Sequence, residues 1–346
     1  MNKIELVPGY WISPVIKGGW QLSDGHSLTS KIQSEQAILD TVSFIESGIS
    51  TLDFGDIYTG VEELIGKAID TLTQKYGSSA RGLVQLHTKY VPNMSALENF
   101  EVTDVRKIVD RSLTRLGVEQ LDLVQFHWWK YEYHGYLEAM AELFCLKQAG
   151  KIRHVSVTNF DLNRLREFVD AGFTPASVQL QYSVLDHRPE GEMAQYCLDH
   201  GIGILCYGTV AGGYLSNKFL GVQEPVQDET RSSTKYGLII EEFGGWEIFQ
   251  ALLNELNKIA IKQNTDISSV ASSYILQSPG VKGVIVGARN IHHLDANLNI
   301  PNIQFSTEDF SGLGDIFSKS NGPHGPVYDL ERYSEKHNRI MHLNNN

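Results

Sequence analysis

One unit recurs along the chain: an amphipathic stretch of helical period, a glycine, then a short apolar run that ends in a polar residue. Val102, Val105, Ile108, Val109, Leu113 and Leu116 fall at spacings of three and four that line one helical face, and Gly117 follows as a helix stop. Gly48, Gly150 and Gly201 stand directly ahead of the apolar runs at 49–53, 152–157 and 202–206, and Gly172 comes shortly before 178–180. Near-continuous aliphatic runs between such helices read as parallel strands covered on both faces. Strand candidates at 15–19, 50–54, 83–88, 121–127, 154–158, 177–181, 203–207 and 283–286 make eight βα units. Eight parallel strands close into a (β/α)8 TIM barrel, an α/β fold whose chemistry sits on the loops after the strands. The rival is an open doubly wound sheet. No Gly-x-Gly-x-x-Gly lies between a strand and a helix in this chain, which weighs against that fold.

Three segments depart from the unit. Residues 208–244 are rich in glycine and polar residues and too long for an ordinary connector, so a lid or binding loop is expected there. Residues 128–136, Trp-Trp-Lys-Tyr-Glu-Tyr-His-Gly-Tyr, form an aromatic insert. The tail after Ser320 opens Asn-Gly-Pro-His-Gly-Pro and ends in three asparagines. The expected organisation is therefore one barrel domain over 1–320 and a tail over 321–346 that packs on the barrel or on a partner subunit, with a homodimer as the oligomer considered.

Composition narrows the class. With 346 residues, 42% hydrophobic and 20% charged, the chain can bury a large core. Its net charge of -12, from 29 basic and 41 acidic residues, argues against a nucleic-acid partner. Cys145, Cys197 and Cys206 lie in apolar runs without metal-site spacing, which fits a reducing, cytoplasmic setting. Neither a secretory signal nor a membrane span is expected. His292 and His293 are adjacent and lack a third ligand, so no metal site is expected either.

Chemistry gathers where the apolar runs stop. Asp53 and Tyr58 follow one, Lys89 ends the next and His127 ends the third. A phenol titrates near pH 10, and a neighbouring lysine favours its ionised form. A carboxylate at Asp53 can hold Lys89 in place and charged, while a neutral imidazole at His127 can donate a hydrogen bond to a carbonyl oxygen. Trp20, Trp128 and Trp129 beside that mouth are expected to wall a substrate pocket.

These residues resemble the aldo-keto reductase superfamily of nicotinamide-dependent oxidoreductases, with Asp53-Phe-Gly-Asp-Ile-Tyr58 matching its Asp-x-x-x-x-Tyr and Lys89 and His127 completing its tetrad. The resemblance runs from Gly18 to about Leu298. It implies Tyr58 as general acid, Lys89 as its pKa-lowering neighbour, Asp53 as the lysine's partner and His127 as the residue orienting the carbonyl. It also places a cofactor. Thr158 and Asn159 would hold the nicotinamide carboxamide with Gln179, Tyr207 would stack on the ring, and Gly208 and Thr209 would begin a pyrophosphate-cradling loop. Gly287, Arg289, His293 and Asn297 would meet the adenosine end. Gly287 stands where many NADPH-specific members carry lysine, and Arg289 is the remaining cation for a 2'-phosphate. The resemblance implies NADPH, with NADH possible, and reduction of a small-molecule aldehyde, ketone or sugar carbonyl. Three alternatives stay open: an NAD(P)+-dependent sugar dehydrogenase, a nucleotide-binding redox-sensor subunit with little turnover, and a lyase using Lys89 as a Schiff-base nucleophile.

Overall fold

The structure, a computed structural model, describes residues 1–23, 34–225, 230–288 and 290–340. A hairpin opens the chain, with β1 (Ile4–Val7) antiparallel to β2 (Tyr10–Ile12). Eight parallel strands follow: β3 (Val15–Gly18), β4 (Thr51–Asp53), β5 (Gln85–Tyr90), β6 (Leu121–Phe126), β7 (Ile152–Thr158), β8 (Ser177–Gln181), β9 (Gly203–Tyr207) and β10 (Val281–Gly287). They pair in chain order, and β10 returns to β3 through the register Val284↔Val15 to Gly287↔Gly18, which closes the barrel. The expected (β/α)8 fold is therefore the observed one. Its strands at 177–181 and 203–207 begin and end where the apolar runs do, and the others shift by one or two residues at one or both ends.

The helices α1 (Ser34–Glu46), α2 (Val61–Tyr76), α3 (Val102–Leu116), α4 (Tyr136–Gln148), α5 (Leu162–Asp170) and α6 (Glu192–Asp199) follow β3 to β8 in turn. In α3 the anticipated stripe buries Val105, Val109 and Leu116, leaves Ile108 and Leu113 half-buried and exposes Val102 in the first turn; Gly117 ends the helix in the left-handed conformation. After β9 come α7 (Arg231–Phe243), α8 (Trp246–Lys262) and α9 (Ile267–Leu276). Beyond β10 lie α10 (Leu294–Asn299), α11 (Thr307–Phe317), α12 (Asp329–Tyr333) and α13 (Glu335–Asn338). None of the described helices is long and apolar enough to cross a membrane.

Two features depart from the sequence expectation. The region read as one long loop over 208–244 contains α7, whose Tyr236, Ile239, Ile240 and Phe243 are buried at helical spacing. Thr230 caps it, its hydroxyl accepting from the Ser233 amide while Ser233 accepts from the Thr230 amide. Glycine and polar content masked that stripe. The second feature is the hairpin. Leu6, Tyr10 and Ile12 pack on Ile16, Leu123, Leu205 and Ile285, and a Cβ at Gly203, the first residue of β9, would meet Leu6 Cδ1 at 2.5 Å. The hairpin thus plugs the end of the barrel where the strands begin, leaving the opposite end for chemistry.

Candidate active site

Side chains alternate along a strand, so Lys89 points inward from β5 with Gln85 and His87, and it is the last of the three before the strand ends. Its ammonium lies 2.5 Å from Asp53 Oδ1 and donates to the Phe54 carbonyl at 2.9 Å. Asp53 Oδ2 accepts from Gln125 Nε2 and Gln179 Nε2, each at 2.6 Å. Burial alone would lower the Lys89 pKa; the Asp53 charge and the Tyr58 phenol outweigh it, and the net shift is upward. Lys89 stays an ammonium.

Tyr58 leaves β4 through a turn closed by its own amide on the Gly55 carbonyl, and the Lys89 ammonium sits 5.3 Å from its ring centroid. Burial raises the phenol pKa; the Lys89 charge and hydrogen bond pull it back, and Asp53 and Asp56 oppose that pull. The balance is upward. Lys89 lowers the value as expected of it, but desolvation of the phenolate exceeds what a lysine already committed to Asp53 offers. Tyr58 therefore stays protonated at neutral pH, the state a proton donor needs.

His127 lies one residue beyond β6, with Trp129 edge-on at 4.5 Å and Tyr328 edge-on at 5.4 Å between ring centroids. Its Nδ1 meets the Thr158 carbonyl at 3.2 Å, and its Nε2 is buried without a hydrogen-bond partner. Burial, helped by the Arg332 charge, pushes its pKa down to about 3, so the ring is neutral. The Thr158 carbonyl only accepts, so one neutral tautomer donates to it from Nδ1, while the other presents an Nε2–H to the cavity. The second form is the one that the role expected for His127 toward a carbonyl requires.

Tyr58, Lys89, His127, Trp20 and Trp129 line one cavity of about 580 Å³. Trp20 stacks obliquely on Tyr58 at 5.0 Å, and Trp129 spends its indole N–H on the Pro92 carbonyl at 2.7 Å. Trp128 does not join them. Successive residues point to opposite sides, and Trp128 is fully buried away from the cavity against Phe100, Phe126 and Tyr136, its indole donating to the Tyr133 carbonyl.

Of the positions expected around a cofactor, Thr158, Asn159, Gln179, Tyr207, Gly208, Gly287 and His293 line the same cavity. Thr209 does not: its hydroxyl bonds Ser272 in the core at 3.0 Å. Asn297 is buried in α10, off the cavity wall, and Arg289 lies outside the described residues. The chain nevertheless fits a dinucleotide on three observations. Asn159 holds a left-handed backbone (φ 63°), and its Oδ1 accepts from the Tyr207 hydroxyl at 2.8 Å, which fixes the carboxamide edge. At Gly208 (φ 79°) a Cβ would fall 2.2 Å from the Tyr236 hydroxyl, so backbone must form that wall. Asn297 Nδ2 is buried with no partner.

The tail supplies residues that sequence reading missed. Tyr328 lines the cavity, and Arg332 donates to the Trp129 carbonyl at 3.1 Å and the Trp128 carbonyl at 3.0 Å. Glu331 sits 3.4 Å from Arg188 and 3.5 Å from Lys235, while Arg188 also grips Asp186 at 2.7 Å. Residues 328–332 therefore cross the mouth of their own barrel. A Tyr, Glu and Arg amid polar residues gave no periodic signal, although three such side chains in five positions are rich in binding chemistry.

The match to known proteins agrees with this geometry. The Aldo/keto reductase family model matches residues 14–316. Aldo-keto reductase YhdN of Bacillus subtilis is 26% identical over 306 residues, covering 85% of this chain and 88% of its own. The NADH-specific methylglyoxal reductase of Escherichia coli is 24% identical over 321 residues, covering 89% and 96%. The solved glycerol dehydrogenase of Gluconobacter oxydans shares the fold with a TM-score of 0.76 at 23% identity, over 94% of this chain and 98% of that one. An aldo-keto reductase from Klebsiella pneumoniae in complex with NADPH shares it with a TM-score of 0.66 at 20% identity, over 91% and 93%. An eight-stranded barrel with an Asp53, Tyr58, Lys89 and His127 mouth, matched from its first barrel strand to α11, belongs to the aldo/keto reductase family of oxidoreductases.

Proposed function

We propose that the protein reduces the carbonyl of an aldehyde, ketone or sugar, with Tyr58 donating the proton and NADPH as the preferred cofactor. The observation carrying this reading is the buried relay from Asp53 through Lys89 to a protonated Tyr58 on the wall of the cavity. Thr158, Asn159, Tyr207 and Gly208 would hold the nicotinamide half, with Gly287, His293, Asn297 and Arg289 toward the adenosine end. Bound there, a reduced nicotinamide supplies hydride to the carbonyl carbon.

The protein's own part is to aim and stabilise. Negative charge gathers on the carbonyl oxygen as carbon is reduced, and a donor already in place lowers that barrier. The Tyr58 hydroxyl gives its proton to this oxygen, and the adjacent Lys89 charge stabilises the phenolate left behind. Asp53, tied by Gln125 and Gln179, keeps the ammonium from turning away. Trp20 and Trp129 present apolar faces that exclude water.

The cofactor can be tested separately from turnover. The Cβ direction at Gly287 is filled by Gln21 at 2.3 Å, so no cation projects there, while His292 and His293 both line the cavity. NADPH is expected to bind more tightly than NADH in a fluorescence titration; the reverse order would favour NADH, for which the Escherichia coli relative is named. Purified protein should oxidise the reduced cofactor with a panel of carbonyls. Tyr58→Phe should lower kcat by roughly 10²- to 10⁴-fold while leaving the cofactor Kd in place. An unchanged kcat in that variant would remove Tyr58 from the proton-donor role.

A further inference from the structure

We propose that Lys17 sets the choice between the two nicotinamide cofactors: from behind the barrel wall, its buried ammonium supplies positive charge that favours the 2'-phosphate of NADPH over the unphosphorylated ribose of NADH. The inference rests on the reading above and names a specificity-determining residue that lies outside the cavity.

Ile16 and Gly18 face the barrel interior, so Lys17 between them points outward from β3, toward Phe44 of α1. β3 pairs with β10 through Val286↔Lys17 and Gly287↔Gly18, which sets the lysine beside the end of β10. Its ammonium donates to the Ala288 carbonyl at 3.1 Å and lies 5.5 Å from the Phe44 ring centroid. The residue is only 3% exposed. Gly287 before Ala288, and Asn290, His292 and His293 after it, line the cavity at the end assigned to adenosine. The ammonium therefore stands directly behind that wall.

Among the described residues no carboxylate forms an ion pair with Lys17. Asp40 of α1 is the carboxylate whose charge reaches it, and Asp40 Oδ1 accepts from Gln36 at 2.7 Å instead. On its other sides β4 presents Leu52, and His292 and His293 follow beyond Ala288. Burial outweighs Asp40 and lowers the Lys17 pKa to about 8, so the amine is mostly an ammonium at neutral pH. A buried charge without a partner is destabilising, and an anion on the far side of the wall would offset that. Direct contact is not required, because charges that water does not separate are weakly screened. From the cavity side nothing competes at this place: Gly287 projects no side chain, and the uncharged amide of Gln21 fills its Cβ direction. The 2'-phosphate, close to a dianion above pH 7, is the group that distinguishes NADPH from NADH. As pH rises through about 8 the ammonium is lost, and the advantage of NADPH is lost with it.

Two binding measurements on the full chain test this. Fluorescence titration at neutral pH should show Lys17→Met losing about 10-fold in NADPH affinity while its NADH affinity stays that of wild type, since methionine keeps the bulk and removes the charge. An equal loss for both cofactors, or a loss for neither, overturns the role of Lys17 but leaves carbonyl reduction standing. The second measurement needs no variant. In wild type the ratio of the NADH Kd to the NADPH Kd should fall by about 10-fold between about pH 7 and 10, a dependence that Lys17→Met should lack. A ratio that stays constant over that range in wild type overturns the proposal. Wild type that binds neither cofactor overturns the reading above, and this proposal with it.

Discussion

Lys89 and Asp53 form an ion pair removed from water, and each is tied by further hydrogen bonds: the ammonium to Phe54, the carboxylate to Gln125 and Gln179. Removing one partner of such a pair strands the other charge in a low-dielectric site. Lys89→Met should therefore cost about 3–5 kcal/mol of folding stability, read as a lowered midpoint in chemical denaturation, in addition to abolishing turnover. The four residues Asp53, Tyr58, Lys89 and His127 were legible because each stands at or shortly after the end of an apolar run. Gln125 was not, since an amide inside a strand looks the same in sequence whether it braces a carboxylate or fills space. Nor was the Thr158 carbonyl beside His127 Nδ1 legible, since it belongs to a residue 31 positions away. The pair Trp128 and Trp129 marks the same limit. Aromatic character was plain, but which ring faces the cavity follows from backbone direction alone.

At the scale of elements, α12 is held by charge rather than by an apolar face. Burial would raise the Glu331 pKa, yet Lys235 and Arg188 pull it down to about 2. The Lys235 pKa moves the opposite way from what pairing alone would give: burial lowers it, and Arg188 nearby adds to that, so the shared carboxylate does not fully compensate the lysine. The asymmetry is physical, with two cations serving one Glu331. A carboxylate whose folded pKa is depressed stabilises the folded form above its unfolded value near 4.5 and loses that contribution as pH falls toward 2. The tail is expected to release over that window, seen as a change in tryptophan fluorescence because Arg332 leaves the Trp128 and Trp129 carbonyls. Glu331→Gln should raise KM at neutral pH and make the tail sensitive to limited proteolysis. None of this could be read from sequence, because the partners of Glu331 lie 143 residues and 96 residues away. The helix α7 was closer to legible; its stripe from Tyr236 to Phe243 and the Thr230 cap are local signals that the surrounding glycines obscured.

For the whole molecule, the repeating glycine-terminated helices were enough to find the barrel, since each strand and helix is a local pattern. The hairpin was missed because two short strands around Pro8 and Gly9 carry too few positions to show a period. It leads into an interior with its own consequence for pH. His87 and His127 are held neutral by burial with pKa values of about 3, and His154, less enclosed, is lowered to about 4. Their folded values lie below the unfolded value near 6.5, so the stability they allow is complete above 6.5 and declines as pH falls toward 3. His87 and His127 should each contribute a slope of about 1.4 kcal/mol per pH unit in that interval. Thermal melts from pH 8 to 4 should show Tm falling well before the carboxylates titrate; a flat Tm across that range would contradict the buried neutral state. The strap over residues 328–332 lies outside the closed ladder of strands, yet Tyr328 contributes to the wall of the cavity and Arg332 adds its charge to the burial that lowers the His127 pKa. New substrate preferences are therefore reachable by rewriting this short stretch alone, while the hydrogen-bonded cylinder and its proton relay are inherited unaltered.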